Sequence, residues 1–249
     1  MIKFFRKIRQ NLLNDGLPAG QAGKTTKYFK YAIGEIILVV IGILIALSIN
    51  NWNEKRLKHE QLISVYERIA IDMDNDVRQL SRTVHYYDSL EYVYKRVIND
   101  SITPDLFNDG LSRIITASYA NTTLSTTGVN QLKELDVKDS LSLNVIGIYD
   151  FMESRLVNYY EKRINEESEE LINIFIDKYD WYPEWMSKTI LQNNSSKELQ
   201  DYFLYSSEYR HRVINNYQLR YNNYLRSVKQ VIIGLEKMKE ALKRIIEKG

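Results

Sequence analysis

Residues 31–49 read YAIGEIILVVIGILIALSI, a run of 19 residues with one charged side chain, Glu35. At about 1.5 Å of rise per residue, this run forms a helix of roughly 28 Å, which matches the hydrocarbon core of a bilayer. The run is apolar on every face, and Tyr28 and Trp52 flank it where interfacial aromatic residues belong. The sequence therefore predicts a transmembrane helix over residues 31–49.

Two other interpretations of this run are a buried core helix of a soluble protein and a cleaved signal peptide. The core of a soluble domain rarely needs a helix that is apolar all round. Ala46-Leu47-Ser48 resembles a signal cleavage site, but the apolar run exceeds the usual signal core of about 7–15 residues and begins only at residue 31. We therefore favour the membrane interpretation.

Basic residues are unevenly distributed around this helix. Residues 1–30 hold seven lysines and arginines, whereas residues 50–69 hold four. Because basic residues concentrate on the cytoplasmic side of a span, we predict a cytoplasmic basic arm over residues 1–30 and an extracytoplasmic domain over residues 50–249. The seven are Lys3, Arg6, Lys7, Arg9, Lys24, Lys27 and Lys30, and the four are Lys55, Arg56, Lys58 and Arg68.

The basic arm has two parts. Apolar and basic residues alternate over residues 2–13, which favours a short helix lying on an anionic leaflet over a merely solvated tail. The segment LPAGQAG, Leu17–Gly23, is typical of a flexible insert.

Glu35 is an ionisable side chain inside the predicted span, and such residues often serve as proton relays or as contacts between helices. It lies only four residues after Tyr31. The carboxylate can therefore reach the nearby interface at modest cost, and we favour that interpretation over a functional role.

The domain of residues 50–249 carries two long apolar stripes in steps of three and four residues. The first predicts a helix from about residue 52 to residue 98, ended by Asn99–Ser101 and followed by a short helix at Pro104. We predict an all-α fold in which the two long helices pair in an elongated, antiparallel, coiled-coil-like bundle. The stripes are Ile63, Tyr66, Ala70, Met73, Val77, Leu80, Val84, Tyr87, Tyr94 and Ile98, and Tyr221, Tyr224, Val228, Val231, Leu235, Met238, Leu242 and Ile245.

Two segments of the domain interrupt these helices. Residues Thr116–Gly128 are rich in hydroxyls and predict a loop or helix-cap region. At YDWYPEW, Tyr179–Trp185, we expect Pro183 to end a helix among four aromatic residues. An aromatic plug at one end of the bundle is the favoured interpretation, and a ligand pocket is the alternative.

The sequence lacks the patterns of several kinds of chemistry. There is no cysteine, the three histidines are not closely spaced, and no Gly-rich phosphate loop or nucleophile elbow occurs. Asp72, Asp74 and Asp76 could hold a hard cation, but spacing of two residues scatters side chains around a helix, and a solvated face is the favoured interpretation. The net charge of +2 does not favour nucleic acid. We therefore predict no catalytic, cofactor-binding or metal-binding residues and no enzymatic activity.

Two N-terminal runs carry a resemblance to a known family. The runs are MIKFFRKIRQNLL, residues 1–13, and KTTKYFKYAIGEIILVVIGILIALSINNWNE, residues 24–54. They resemble the opening of a family of uncharacterised single-span envelope proteins from Gram-negative bacteria, known only as a domain of unknown function. Relative to that family, Leu17–Gly23 looks like an insertion. The resemblance implies a single-pass protein of the bacterial inner membrane with a periplasmic domain and no assigned reaction.

These observations favour a membrane-tethered helical protein whose role is interaction, as a scaffold, assembly factor or accessory subunit. Its expected partners are the lipid bilayer and another protein, or a second copy associating through the helices. The alternative function is a sensory or small-ligand-binding domain with a pocket near Trp181, Tyr182 and Trp185. A sensor needs a cavity with convergent polar groups, whereas a scaffold needs exposed apolar or aromatic surface.

Overall fold

The computed structural model of this protein describes residues 21–118, 120–191 and 196–248. The predicted leaflet helix of residues 2–13 and the first part of the flexible insert lie outside these residues. Every regular element in the described part of the chain is a helix, so the all-α prediction is confirmed. The chain divides after Glu60 into two compact units, and the second begins at Gln61.

The first unit contains the beginning of helix α1, which spans Gln21–Ile98. The last three residues of the predicted insert, 21–23, belong to α1. The most apolar 18-residue window of α1 has a mean hydropathy of 2.8, and 0% of that window is buried. By length and composition this helix could cross a membrane. The prediction of one long apolar helix near the N-terminus is confirmed.

In the second unit, one column of buried residues on α1 recurs at every seventh position. Tyr66, Met73, Leu80, Tyr87 and Tyr94 are each 2% exposed or less. All five belong to the predicted apolar stripe, so a spacing of seven residues identified the inward face of this helix.

The second buried column of α1 differs from the prediction. Ala70, Val77 and Val84 are only half-buried, whereas Asp76 and Thr83 are buried in the adjacent positions. A search for apolar periodicity passes over these two polar residues. They are inside because a buried polar group is tolerated where it is hydrogen-bonded.

The end of α1 follows the prediction. The helix ends at Ile98, Asp100 adopts a left-handed conformation with φ of 55°, and the Ser101 N–H bonds back to Arg96 O at 2.9 Å. A short 3₁₀ helix then begins at Pro104, as expected, and ends at Phe107. The carbonyls at the end of α1 therefore find local partners.

The remaining elements are helical and include two π-helical segments, for which we saw no signal in the sequence. In a π-helix each N–H bonds five residues back, which widens the turn. In chain order the elements are α2 (Thr127–Glu134), α3 (Ser140–Phe151), π1 (Met152–Glu161), α4 (Lys162–Lys178), α5 (Tyr182–Leu191), α6 (Lys197–Tyr205), α7 (Ser207–Tyr217), π2 (Gln218–Leu225) and α8 (Arg226–Ile246).

Helix α8 lies beside the second half of α1. Lys239 Nζ donates to Asp74 Oδ1 at 2.6 Å, and Lys229 Nζ donates to Asp88 Oδ1 at 3.0 Å. The buried face of α8 consists of Val228, Val231, Leu235 and Leu242, all from the predicted second stripe.

The prediction that Pro183 ends a helix is wrong. Helix α4 ends at Lys178, and α5 begins at Tyr182, so Pro183 lies in the first turn of the next helix. A proline is tolerated there because its missing N–H would have no partner within the helix in any case. The predicted loop of residues 116–128 is confirmed over its first part, and α2 begins at Thr127.

Candidate functional site

Two of the three clustered aspartates on α1 are buried. The Asp72 carboxylate accepts from Gly128 N at 2.8 Å, and Asp76 accepts from Ser125 N at 2.9 Å. Their side chains are 1% and 0% exposed, so the expectation of a solvated face is wrong for both. Only Asp74, which pairs with Lys239, faces solvent.

The physical reason lies in the segment that leads into α2. This segment crosses α1, and its buried N–H groups need acceptors. Asp72 supplies one at the start of α2, where Thr126 makes no side-chain cap, and a carboxylate is favoured beside the N-terminus of a helix. Burial raises the pKa of Asp76, although the hydrogen bonds from Ser125 and from the Tyr149 hydroxyl offset part of that increase. In the described part of the chain, no group of three or more His, Cys, Asp or Glu residues is placed to hold a metal ion.

Gly128 allows the close approach of α2 to α1. A Cβ atom at this position would lie 2.7 Å from Ile69 Cγ1 and 2.9 Å from Ile69 N. Contacts this short do not occur, so only glycine fits here without a shift of the backbone. The close approach is what brings the Gly128 N–H to the Asp72 carboxylate.

A buried glutamate links the same crossing segment to both π-helical segments. Glu161, at the end of π1, is 3% exposed. It accepts from Thr122 Oγ1 at 2.5 Å, from Thr122 N at 2.8 Å and from the Tyr224 hydroxyl of π2 at 2.6 Å. Among the described residues it forms no ion pair, so hydrogen bonds alone stabilise its charge.

Arg220, on π2, is fully buried. Its Nη1 donates to Ile114 O at 3.0 Å and Ala117 O at 2.9 Å, and its Nη2 donates to Ile115 O at 2.7 Å and Ser168 Oγ at 3.2 Å. The guanidinium thus donates hydrogen bonds to three backbone carbonyls at once. Arg220 has no carboxylate partner among the described residues, and its Nε makes no hydrogen bond.

Outside this polar core, the crossing segment and α1 form an open groove of about 700 Å³. We call it the arginine groove. Arg78 and Arg82, one turn apart on α1, are both exposed. In the orientation of the Gln79 amide that gives both of its polar atoms a hydrogen bond, the amide nitrogen donates to Thr123 O and the amide oxygen accepts from Thr123 N, at 2.9 Å each. The groove is lined by Asn75, Arg78, Gln79, Arg82, Thr83, Ser118 and Asn121.

A second groove, of about 350 Å³, lies where α6 meets α7. We call it the tyrosine groove. Tyr205 is 77% exposed, the largest exposed fraction among the bulky apolar and aromatic side chains of the described residues. Arg210 lies in the same groove, donating to Ile98 O at 2.9 Å and pairing with Asp100 at 3.0 Å. The groove is lined by Asp100, Ile102, Leu204, Tyr205, Ser206, Ser207, Arg210, His211 and Ile214.

The residues singled out from the sequence lie elsewhere. Trp181 and Trp185 are 8% and 3% exposed, and each ring centroid lies within 5.2 Å of the Phe175 centroid. Trp185 Nε1 also donates to Ser112 O at 3.0 Å. The two indoles are therefore packed in the core, as the favoured plug interpretation expects, and Tyr179 and Tyr182 are half-buried. Glu35 lies exposed on α1.

Sequence reasoning missed both grooves. Arg78 and Arg82 could have been noticed as two like charges four residues apart, a spacing that is unfavourable on a helix without a partner. Tyr205 belongs to no apolar stripe and carried no local signal. The buried Arg220 looked like one of many charged residues on a solvated helix.

Comparison with known proteins identifies the family. No curated protein and no solved structure matches the chain. A family model described as a family of unknown function (DUF6090) matches residues 35–180, which is more than half of the 249 residues. The match includes Asp72, Gly128 and Glu161, and it confirms the predicted resemblance to an uncharacterised domain family. This chain belongs to DUF6090, a family of unknown function.

Proposed function

We propose that this protein is a membrane-anchored helical interaction or scaffold protein of the bacterial envelope, without catalytic activity. The anchor is α1, whose apolar window could cross a membrane. In the proposal it lies in the inner membrane with a cytoplasmic N-terminus and a periplasmic domain. The support for this orientation is the excess of basic residues before residue 31.

The proposed domain is an antiparallel bundle with coiled-coil-like long helices. The opposite residue order of the Asp74–Lys239 and Asp88–Lys229 pairs supports the antiparallel arrangement. Tyr66, Met73 and Leu80 at intervals of seven residues support the coiled-coil-like packing. In this proposal the buried residues stabilise the fold, and surface residues make the functional contacts.

The observation that carries the interaction role is the tyrosine groove. A tyrosine ring that is 77% exposed lies beside Ile214, which is 40% exposed, and both line one concavity. Exposed aromatic side chains next to apolar depressions are characteristic of protein contacts that contribute strongly to binding energy. We therefore place the contact with a protein partner or with a second copy at this groove.

Site-specific photocrosslinking in intact cells tests this role. A benzophenone amino acid replaces Tyr205 in one variant and Tyr159, a tyrosine exposed outside the groove, in a matched variant. After illumination and detergent extraction, we expect a discrete crosslinked species from position 205 only. Its mass distinguishes a second copy from another envelope protein. The proposal fails if position 205 gives no discrete species and the extracted protein is monomeric without a stoichiometric partner.

A second candidate function is an extracytoplasmic ligand-binding or sensory domain. The observation that favours it is the arginine groove, whose volume of about 700 Å³ lies within the range of small-molecule sites. Polar amide, hydroxyl and guanidinium groups converge there. The Trp181 and Trp185 side chains are packed in the core, so the pocket expected near them gives less support to this function.

A further inference from the structure

The arginine groove has an excess of positive charge at its surface. Arg78 and Arg82 are exposed, and neither forms an ion pair with any residue that the structure describes. None of the described residues that line the groove is acidic. The guanidinium of Arg78 donates to the amide oxygen of Asn75 at 2.5 Å. Two like charges one turn apart repel each other, and a bound anion would relieve that repulsion.

The carboxylates nearest in the chain are bonded to other groups. Asp74, one turn before Arg78, is exposed and accepts from Lys239 Nζ at 2.6 Å. Asp76 is fully buried, and its oxygens accept from Ser125 N and the Tyr149 hydroxyl. Glu161 contacts Thr122, which follows Asn121 of the groove, but its oxygens are directed to Thr122 and Tyr224 in the core. These acids are therefore already occupied by internal donors.

A third guanidinium holds the far wall of the groove from inside. Arg220 donates to Ala117 O at 2.9 Å, and Ala117 directly precedes Ser118 of the groove lining. The wall is thus fixed by a buried cation that has no carboxylate partner among the described residues.

The composition of the lining defines the ligand. Guanidinium groups bind oxyanions through paired hydrogen bonds, and a phosphomonoester carries a charge of about −1.5 to −2, which matches two arginines better than one carboxylate does. The amides of Asn75 and Asn121 offer donors and acceptors for sugar hydroxyls. The Ser118 hydroxyl donates to Asn165 Oδ1 at 2.7 Å and accepts from Ala120 N at 3.2 Å, which leaves it one acceptor position for a ligand. The space of about 700 Å³ exceeds the needs of inorganic phosphate. We propose that the arginine groove binds a phosphorylated carbohydrate, free or as a lipid headgroup.

This inference goes beyond the interaction role and names a ligand class for the second candidate function. The test uses the full chain in phosphatidylcholine nanodiscs at constant ionic strength. Calorimetry measures binding of glucose 1-phosphate, glucose and inorganic phosphate. Flotation measures binding to phosphatidylcholine vesicles with and without lipid A, a phosphorylated glucosamine lipid. Saturable binding of glucose 1-phosphate supports a free sugar phosphate, and binding to lipid A vesicles alone supports a headgroup.

Matched variants localise the binding. We expect Arg78→Gln and Arg82→Gln each to weaken it at least tenfold, and Arg244→Gln, an exposed arginine near the end of α8, to leave it unchanged. Unchanged circular dichroism of each variant establishes that it folds. The proposal is overturned if neither probe binds, if glucose or inorganic phosphate binds as tightly as the sugar phosphate, or if both groove variants bind normally. None of these outcomes alters the crosslinking expected from position 205.

Discussion

The Tyr224 hydroxyl donates a 2.6 Å hydrogen bond to Glu161 Oε1 and so connects π2 to π1 inside the domain. The two π-helical segments contact each other, and each carries a buried charged residue, Glu161 in π1 and Arg220 in π2. Both residues also bind the segment that crosses α1, Glu161 through Thr122 and Arg220 through Ile114 to Ala117. The two π-helical segments thus carry the side chains that hold the crossing segment in place.

Tyr224→Phe removes one of three hydrogen bonds to the Glu161 carboxylate. Because a hydrogen bond to a charged group is worth about 1.5–3 kcal/mol, we expect the free energy of unfolding to fall by that amount. Denaturant unfolding of the full chain in detergent, followed by circular dichroism, measures it. The control is Tyr159→Phe, an exposed tyrosine, which should change stability by less than about 0.5 kcal/mol. Equal effects of the two substitutions would contradict the role of the Tyr224–Glu161 bond.

Gly128→Ala tests the close approach between α2 and α1. The new methyl group would lie 2.7 Å from Ile69 Cγ1 and 2.9 Å from the Ile69 backbone nitrogen, and the backbone cannot move aside as a flexible side chain can. Overpacking of this kind costs about 1–3 kcal/mol, so we expect a lower melting temperature.

Gly147→Ala is the matched control, because nothing lies within 4 Å of a Cβ at that position in α3. Replacing a helical glycine by alanine stabilises a helix by about 0.5–1 kcal/mol. The two substitutions are therefore expected to shift the melting temperature in opposite directions. A melting temperature of Gly128→Ala at or above that of the wild type would refute the steric argument.

Asp139 caps the N-terminus of α3, and its contribution depends on pH. Partial burial would raise its pKa, but hydrogen bonds from Ser142 and Leu141 outweigh burial and hold the pKa below its ordinary value of 3.8. A lowered folded-state pKa gives stability that is present above pH 3.8 and lost as the pH falls through the folded-state value. Asp139→Ala should cost about 1 kcal/mol at neutral pH.

Asp139→Asn separates the cap from the charge, because asparagine retains an acceptor oxygen but does not ionise. We expect this variant to be slightly less stable than the wild type at pH 7. The difference should disappear as the pH falls below the folded-state pKa of Asp139. Unfolding curves between pH 2 and pH 7 measure it, and a difference that grows toward low pH would show that the sign is wrong.

Much of the fold was predictable because it depends on local periodicity. Tyr66, Tyr87 and Tyr94 belong to the predicted stripe of three- and four-residue steps and are buried, so the apolar period identified this part of the buried face of α1. Asp76 and Thr83 could not be found in this way. Their burial depends on partners far along the chain, such as Ser125, and a helical period does not encode such contacts.

The candidate sites were less predictable because they are formed by distant segments. The arginine groove needs residues of α1 beside Ser118 and Asn121, which are brought there by Gly128 and Arg220. The π-helical segments likewise have no simple sequence code. By contrast, the packing of Trp181 and Trp185 followed from their aromatic context, and their burial agrees with it.

Arg220 is the position at which we expect the largest loss of stability. Arg220→Met keeps an apolar stem of similar length but removes every donor, which leaves the carbonyls of Ile114, Ile115 and Ala117 without this partner. Ile114 O keeps the Tyr94 hydroxyl as a donor at 2.6 Å, and Ile115 O keeps the Ser168 hydroxyl at 2.8 Å. The expected cost is therefore that of hydrogen bonds lost from a charged donor, at about 1.5–3 kcal/mol each, and a total of about 3 kcal/mol or more is a large part of the stability of a typical domain.

Arg220→Lys retains the positive charge but replaces the planar fork by a single ammonium, which cannot reach three carbonyls with the same geometry. We therefore expect stability to decrease from the wild type to Arg220→Lys to Arg220→Met, with Arg244→Gln unchanged. Hydrogen exchange of residues 114–118 should accelerate in the same order, because the segment held by the guanidinium opens locally before the helices unfold. If Arg220→Met matched the wild type in both measurements, the buried charge would not be what holds this segment against α1.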